Sequence, residues 1–231
     1  MKPIRAVLLD FYCTLVDLSD SIRSRGFDEF ARRLGLPLAP GEFYRRYVEL
    51  INEDEPDGEA AASFIPYRQS WVSAGRRLLA PFGLEQAGAL FADAYADLHA
   101  TAAMFPDAPA ALRALGRDFR LGVIANADHD FLTRCVDRHG LRFCAVVDSE
   151  TARCYKPAPR VFHDACTTLA VPPAEAVMVG DTPETDVDGA RRAGLQTVWL
   201  NRDHRAWPAH LDQPEATIDN LGQLLALCSP P

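Results

Sequence analysis

The segment AVLLDFYCTLVD, residues 6–17, opens with four apolar residues that lead directly into Asp10 and continues in a polar, tightly turning stretch. A short apolar run of this kind predicts a buried strand that ends at Asp10. Parallel α/β sheets bind their ligands beyond the carboxyl ends of the strands. Asp10 is therefore a candidate for binding or catalysis if the strand belongs to such a sheet.

Strands and helices alternate along the chain from about residue 105. Apolar runs predict strands, and helical spacing predicts helices between them and in the last segment, ATIDNLGQLLAL (216–227). This alternation is typical of right-handed βαβ units and of a parallel sheet covered on both faces. We therefore predict an α/β fold with a parallel, Rossmann-like sheet that includes the Asp10 strand. The other predicted strands are FRLGVIAN (119–126), FCAVVDS (143–149), AVMVGD (176–181) and QTVWLNR (196–202).

The region between the first strand and residue 100 carries helical spacing throughout. Four helices of this length form a small bundle, so we predict an inserted helical domain, residues 18–100, and a core domain of residues 1–17 and 101–231. The acidic stretch NEDEPDGEAAAS (52–63) predicts a loop. The four predicted helices are SDSIRSRGFDEFARRLG (19–35), PGEFYRRYVELIN (40–52), FIPYRQSWVSAGRRLLAPFG (64–83) and LEQAGALFADAYADLHA (84–100).

The composition limits the classes of partner. A net charge of −8 argues against a nucleic-acid or anionic-membrane surface, but a small anionic substrate responds to the local site and stays open. No stretch approaches 18 consecutive apolar residues, and no signal peptide is recognisable. The six cysteines include no C-x-x-C pair, so we expect reduced thiols and a cytoplasmic protein.

Polar residues end or follow several of the predicted strands. Asp10, Asn126 and Asp181 stand at strand ends, Lys156 follows the strand of residues 143–149, and Asp186 lies five residues after Asp181. The fold would bring these groups to one rim of the sheet. Carboxylates at close range repel each other, which implies a cation, and oxygen ligands favour a hard ion such as Mg²⁺.

Three segments, DFYCT, YKPAPRVF and VGDTPETDVDGARRAG, resemble the motifs of the haloacid dehalogenase (HAD) superfamily. They occur in the family's order, each after a strand, with a helical insert after the first motif. The resemblance implies a hydrolase with a HAD core and an α-helical cap that selects the substrate. It also implies that Asp10 is a nucleophile forming a covalent aspartyl intermediate, that Thr14 orients it, and that Lys156 holds Asp10 and the substrate anion.

The same resemblance implies a magnesium site. Asp10, Asp181 and Asp186 would hold Mg²⁺, and the backbone carbonyl of Tyr12 would be a further ligand. The metal would shield the charge of an incoming phosphate and fix an in-line geometry.

Two positions depart from the phosphatases of this superfamily. Tyr12 replaces the aspartate that protonates the leaving group and activates water, and a phenol with a pKa near ~10 is a poor base. Ala125 replaces the Ser or Thr whose hydroxyl binds the transferring phosphoryl group. General acid–base help is typically worth ~10²–10⁴ in rate, and one preorganised donor ~10²–10³.

Tyr12 also points to another branch of the superfamily. The 2-haloacid dehalogenases have tyrosine at this place, and halide leaves as a stable anion without needing a proton. Cap arginines such as Arg45, Arg46 or Arg68 would then receive halide or carboxylate, although they also suit solvated helix faces. The segment VGDTPETD is the metal-binding form of the last motif, which dehalogenases lack.

Three functions follow from these features. The first is Mg²⁺-dependent hydrolysis of a small phosphorylated metabolite with an atypical acid and base, with substrate contacts from Ala125, Asn126, Arg45 and Arg68. The second is metal-independent, dehalogenase-like hydrolysis at carbon. The third is a HAD scaffold recruited to a non-hydrolytic or binding role. The first two share a small, anionic substrate.

Overall fold

The structure is a computed structural model that describes residues 2–53 and 64–228. Its helices, numbered in chain order, are α1 (Asp20–Arg33), α2 (Glu42–Glu53), α3 (Tyr67–Leu79), α4 (Gly88–Ala100), α5 (Ala108–Leu115), α6 (His129–Arg138), α7 (Ser149–Ala152), α8 (Pro159–Thr168), α9 (Gly189–Arg192) and α10 (Leu224–Leu227). Its strands are β1 (Ala6–Leu9), β2 (Val16–Asp17), β3 (Ala103–Met104), β4 (Arg120–Ala125), β5 (Ala145–Asp148), β6 (Ala176–Gly180), β7 (Gln196–Leu200) and β8 (Ala216–Ile218).

Six of the strands form one parallel sheet in the order β5-β4-β1-β6-β7-β8. The predicted α/β fold is confirmed, and β1 lies at the centre of the sheet. Every residue of β1, β6 and β7 is buried, as expected for parallel strands covered on both faces. Leu9 is in register with Val123 on β4 and Val179 on β6, so Asp10 emerges between the ends of its two neighbours.

The last predicted segment is wrong in part. ATIDNLGQLLAL was predicted as one helix, but its first residues form β8, which pairs with β7, and only α10 at its end is α-helical. A second, two-stranded sheet was not predicted: β2 and β3 pair antiparallel, with Val16 opposite Met104 and Asp17 opposite Ala103. The predicted loop of residues 52–63 begins inside α2, and its residues 54–63 lie outside the described part of the chain.

The chain divides into two compact units. The sheet unit contains Met1–Asp17, Ala103–His129 and His139–Pro231, and the helical unit contains Leu18–Ala102 and Asp130–Arg138. The four helices predicted for the insert are observed as α1 to α4. Most of α6, which belongs by its place in the chain to the sheet region, groups with these helices.

Aromatic side chains form the core of the helical unit. The ring of Phe27 lies 5.1 Å from those of Tyr47 and Phe91 and 5.0 Å from that of Tyr95, measured between centroids. Phe43 is fully buried beside them. Among residues 2–53 and 64–228, no helix combines the length and the hydropathy needed to cross a bilayer.

Candidate active site

Lys156 and Asp10 form the centre of a buried ionic cluster at the carboxyl end of β1. The ammonium nitrogen of Lys156 lies 2.6 Å from Asp10 Oδ1, 2.6 Å from Asp186 Oδ1 and 3.0 Å from the carbonyl oxygen of Ile124. Lys156 and Asp186 are buried, and Asp10 is 7% exposed. Three acceptors match the three N–H donors of a lysine ammonium, so its orientation is fixed.

Asp186 reaches this cluster from a wide, π-helical turn, Pro183–Asp188, that follows β6. Its second oxygen, Oδ2, accepts a hydrogen bond from the backbone N–H of Thr182 at 3.0 Å. A β-carbon at Gly180 would lie 2.3 Å from that oxygen, so only glycine lets the carboxylate approach the strand this closely. Wide helical turns of this type are frequent at functional sites.

Asp181 stands directly after β6 and is anchored by its backbone. Its carbonyl oxygen accepts hydrogen bonds from Trp199 Nε1 at 3.0 Å and from Arg205 Nη2 at 2.7 Å. The same Arg205 nitrogen lies 3.9 Å from Asp181 Oδ2. The carboxylate, 24% exposed, is thus the most accessible acid of the cluster.

The three carboxylates fit a divalent cation. One oxygen from each of Asp10, Asp181 and Asp186 lies within 4.8 Å of the others. Asp10 Oδ2 is buried and has no hydrogen-bond partner among the described residues. When all are ionised, the three carboxylates exceed the Lys156 ammonium by two charges, of which the half-exposed Arg205, 3.9 Å from Asp181 Oδ2, offsets only part. Oxygen donors suit a hard ion such as Mg²⁺.

The pKa values express the same imbalance. Burial raises the pKa of Asp10 above its ordinary range, with Lys156 opposing the shift and Asp186 adding to it. Burial also raises the pKa of Asp181, assisted by Asp10 and Asp186. Burial alone would lower the pKa of Lys156, but the two carboxylates that face it outweigh this effect and raise the pKa. Lys156 therefore stays charged, while the raised pKa values of Asp10 and Asp181 favour a further cation beside these two groups.

Two predicted residues of the first motif, Tyr12 and Thr14, follow Asp10 by two and four positions in the sequence. Thr14 is fully buried, and its Oγ1 has no hydrogen-bond partner among the residues described. Tyr12 is half-buried, with its ring 5.1 Å from that of Phe11 in an edge-on arrangement. Metal ligation by the Tyr12 carbonyl stays a prediction.

Asn126 holds the main chain of Lys156, and its predicted contact with substrate stays a prediction. Its Oδ1 accepts a hydrogen bond from the backbone N–H of Lys156 at 2.7 Å, and its Nδ2 donates to the carbonyl oxygen of Lys156 at 3.1 Å. Both ends of the amide thus hold the main chain that carries the lysine. Ala125, the neighbouring residue, ends β4 and is 2% exposed.

The two predicted arginine contacts lie in the helical unit. Arg45 forms an ion pair with Glu49 one turn further along α2, and Arg68 forms an ion pair with Asp93 of α4. Both arginine side chains are more than half exposed. Their role as anion ligands stays a prediction.

Three residues of the site were not found from sequence. Gly180 could have been recognised as the glycine that directly precedes an acidic strand end. Arg205 holds Asp181, and Arg202 donates to the carbonyl oxygen of Thr14 at 3.0 Å. The sequence carries no signal for these two contacts with the site, because their acceptors are backbone carbonyl groups that every residue has.

The chain is similar to known proteins in sequence and in fold. The family model of the haloacid dehalogenase-like hydrolases matches residues 4–194. N-acylneuraminate-9-phosphatase of Mus musculus is 34% identical over 124 residues, which cover 52% of this chain and 50% of that protein. The chain therefore spans about half the length of this relative.

Solved structures extend the likeness to the whole fold. A 2-haloacid dehalogenase from Pseudomonas syringae pv. Tomato is 26% identical and superposes with a TM-score of 0.71, with 97% of each chain covered. A HAD-hydrolase from Bacillus subtilis, solved with bound magnesium, is 20% identical, with a TM-score of 0.79 over 98% of this chain and 99% of that one. Phosphatase and dehalogenase relatives thus both resemble this chain.

Proposed function

Since the chain belongs to the haloacid dehalogenase-like hydrolase family, we propose that it is a Mg²⁺-dependent hydrolase of small phosphorylated metabolites. The clustering of Asp10, Asp181 and Asp186 around a single lysine carries this proposal. A dehalogenase that works without metal has no use for three clustered carboxylates, its nucleophile included, that face a single lysine. Buried charges without compensation are costly.

The acids would divide the work of holding the metal. Asp10 and Asp181 are the better direct ligands, because both oxygens of Asp186 already accept hydrogen bonds, from Lys156 and from the Thr182 N–H. Asp186 then contributes mainly its charge. Bound Mg²⁺ would supply positive charge opposite the transferring phosphoryl group.

Asp10 is the nucleophile in this proposal. An oxygen of its carboxylate attacks phosphorus, the bond from phosphorus to the ester oxygen breaks, and an aspartyl phosphate forms. Water then attacks the phosphorus, which releases inorganic phosphate and restores Asp10. Lys156, held by Asn126 through its backbone, stabilises the negative charge that passes through this position.

Tyr12 and Ala125 predict a preference for good leaving groups. A phenol at position 12 is a weaker proton donor than the aspartic acid usually found at this position in the family's phosphatases, so the departure of an alkoxide leaving group is slowed. p-Nitrophenolate leaves without a proton, and its ester should therefore react faster than an alkyl ester. We expect the rates of the two esters to differ by ~10²–10⁴, which is the usual contribution of general acid catalysis.

The test is phosphate release from p-nitrophenyl phosphate and from a panel of sugar and hydroxy-acid monophosphates, with Mg²⁺ and with EDTA. We expect turnover with Mg²⁺ and none with EDTA, and a loss of turnover in Asp181→Asn. Asp118→Asn, an exposed acid in the turn before β4, is the control that should keep full activity. Turnover that survives both EDTA and Asp181→Asn would falsify the proposal.

A dehalogenase-like reaction is the second candidate, favoured by Tyr12 and by the 26% identical dehalogenase structure. Here Asp10 would attack carbon, and halide would leave with the electron pair of the broken bond. Release of halide from 2-chloropropionate in EDTA is the assay. Absence of both phosphate and halide release from folded protein would favour the binding or non-hydrolytic role instead.

A further inference from the structure

The segment Asn201–Arg205 follows β7 and sits beside both loops that carry the candidate site. Asn201 is buried at the end of β7, and its side-chain oxygen accepts a hydrogen bond from the Arg205 N–H at 2.8 Å. Its side-chain nitrogen donates to the Arg205 carbonyl oxygen at 2.9 Å. The Asn201 N–H also donates to Ile218 O on β8 at 2.7 Å. These bonds close the segment into a compact loop fastened to the sheet.

Each arginine of this loop donates to one catalytic loop. Arg205 Nη2 donates at 2.7 Å to the carbonyl oxygen of Asp181, in the segment 181–186 after β6, here called the metal loop. Arg202 Nη2 donates at 3.0 Å to the carbonyl oxygen of Thr14, in the segment 10–15 between β1 and β2, here called the nucleophile loop. Both acceptors are main-chain atoms of residues whose side chains belong to the candidate site.

Arg202 is itself held firmly. Its Nη1 lies 3.1 Å from Asp107 Oδ2, and its guanidinium carbon lies 4.1 Å above the centre of the Phe105 ring. Asp107 also accepts the Leu221 N–H at 2.7 Å. An arginine held by Asp107 and by the Phe105 ring can fix the loop to which it donates.

Arg205 does not act on Asp181 as a close ion pair. Its nitrogen is 3.9 Å from the carboxylate oxygen, beyond hydrogen-bond distance, but 2.7 Å from the carbonyl oxygen of the same residue. The arginine thus fixes the backbone without occupying the carboxylate oxygens that a metal would use. Groups behind metal ligands orient them, and their loss typically weakens metal binding.

We propose that the Asn201–Arg205 loop is a bracket in which Arg205 and Arg202 are positioning residues, Arg205 for Asp181 and Arg202 for Thr14. This inference rests on the proposed function in one respect, which is that Asp181 binds Mg²⁺. Each arginine fixes its own loop through a main-chain carbonyl oxygen. A role through charge alone makes the opposite prediction, because removing a cation next to a metal site should tighten metal binding.

The first experiment measures the dissociation constant of Mg²⁺ alone by titration calorimetry on the metal-free chain. Arg205→Met should weaken Mg²⁺ binding about 10-fold, and Arg205→Lys, which keeps a donor, should recover part of the loss. Arg202→Met should leave the constant within about twofold. The matched control is Arg5→Met, which removes an arginine of similar exposure from the amino end of the sheet. Tighter binding in Arg205→Met overturns the bracket.

The second experiment is hydrogen exchange followed by mass spectrometry on the same metal-free variants. Arg205→Met should speed exchange in residues 181–186, and Arg202→Met should speed it in residues 13–16, each without the other change. Equal acceleration of both segments in both variants, or in neither, contradicts the bracket. If the wild-type chain binds no Mg²⁺, the proposed function fails, and the exchange pattern still decides the bracket.

Discussion

In the sheet unit, Lys156 is buried between two carboxylates that both bond to it, whereas in the helical unit His99 is buried among aromatic rings. Burial opposes the charge of both side chains. Carboxylates overcome that opposition at Lys156 and raise its pKa, but at His99 the pKa falls to about 3 and the imidazole stays neutral. The cost of burying a charge is thus offset by the carboxylates at the site, whereas the helical core avoids it because His99 stays neutral.

Buried ionisable groups thus differ between the sheet unit and the helical unit. At the site, buried charge is retained at a cost to folding, which is the usual mark of a functional position. In the helical unit, buried polar groups are held neutral, as with Tyr47, whose pKa is raised by burial and by Tyr95. Four substitutions test whether this contrast holds, and they are ordered by the size of the expected effect.

Lys156→Met should have the largest effect, because it leaves Asp10 and Asp186 buried together without a counter-charge. Removing one partner of a buried ion pair typically costs about 3–5 kcal/mol. We expect a loss of that size in the free energy of unfolding of the metal-free protein at pH 7, measured in urea. Phosphate-ester turnover should disappear as well.

A double variant separates the loss of the Lys156 charge from the loss of the packing of its side chain. Adding Asp186→Asn to Lys156→Met removes one of the two repelling charges, so part of the stability should return. Coupling of this kind is expected only between residues in one network. If the double variant were as unstable as the sum of the two single losses, the ionic account of Lys156 would be wrong.

Phe27→Ala should be the largest effect in the helical unit. It removes a buried ring that contacts Phe43, Tyr47 and Phe91, and phenylalanine-to-alanine changes in cores cost about 3–5 kcal/mol. The loss should be the same with Mg²⁺ as with EDTA. Phe27→Leu, which keeps most of the volume, should cost less than about 1.5 kcal/mol. A loss that depended on metal would break the contrast between the two units.

The sequence predicted the parts of the molecule in which local pattern and tertiary structure agree. The apolar run before Asp10 became the central strand, and the three motif acids and Lys156 met at its end. β8 was missed because its three residues fit the helical period of the segment that follows, and only pairing with β7 makes them a strand. Local period cannot distinguish such short segments.

Hydrogen bonds from side chains to main-chain groups could not be predicted from the sequence either. Asn126 bonds to the backbone of Lys156, 30 residues away, and Arg205 to the backbone of Asp181, 24 residues away. A side-chain pair leaves two complementary residue types to recognise, but a bond to a carbonyl group leaves only one. Residues that position the candidate catalytic groups are therefore harder to predict than those groups themselves.

His99 should make stability depend on acid pH. The pKa of its neutral, buried imidazole is lowered from 6.5 to about 3, so between these values the unfolded chain binds a proton that the folded chain does not. Stability should therefore fall as pH falls, by up to about 1.4 kcal/mol per pH unit. The measurement is urea unfolding between pH 7 and pH 4.5 for the wild type and His99→Gln.

The matched control is His210→Gln, a fully comparable change at an exposed histidine. It should keep the wild-type slope, whereas His99→Gln should flatten it even if it lowers stability at pH 7. An unchanged slope in His99→Gln would mean that the imidazole is already charged in the folded state. His99 would then no longer be an example of a buried group that stays neutral in the helical unit.

Asp181→Asn should give the smallest effect and the opposite sign. Burial and the neighbouring carboxylates raise the pKa of Asp181, so its charge destabilises the metal-free fold once the pH exceeds the ordinary value near ~4. Asparagine removes that charge. The side chain is 24% exposed, so we expect a gain on the order of only 1 kcal/mol at pH 7.

Mg²⁺ should reverse the ranking of the two proteins. The wild type should gain stability with added Mg²⁺, as any ligand of the folded state requires, while Asp181→Asn should gain little. Thermal unfolding with EDTA and with Mg²⁺ measures both states, and Asp118→Asn should follow the wild type in each. If Asp181→Asn destabilised the metal-free protein, Asp181 would be a structural acid. The site would then not carry the excess negative charge that sets it apart from the helical core.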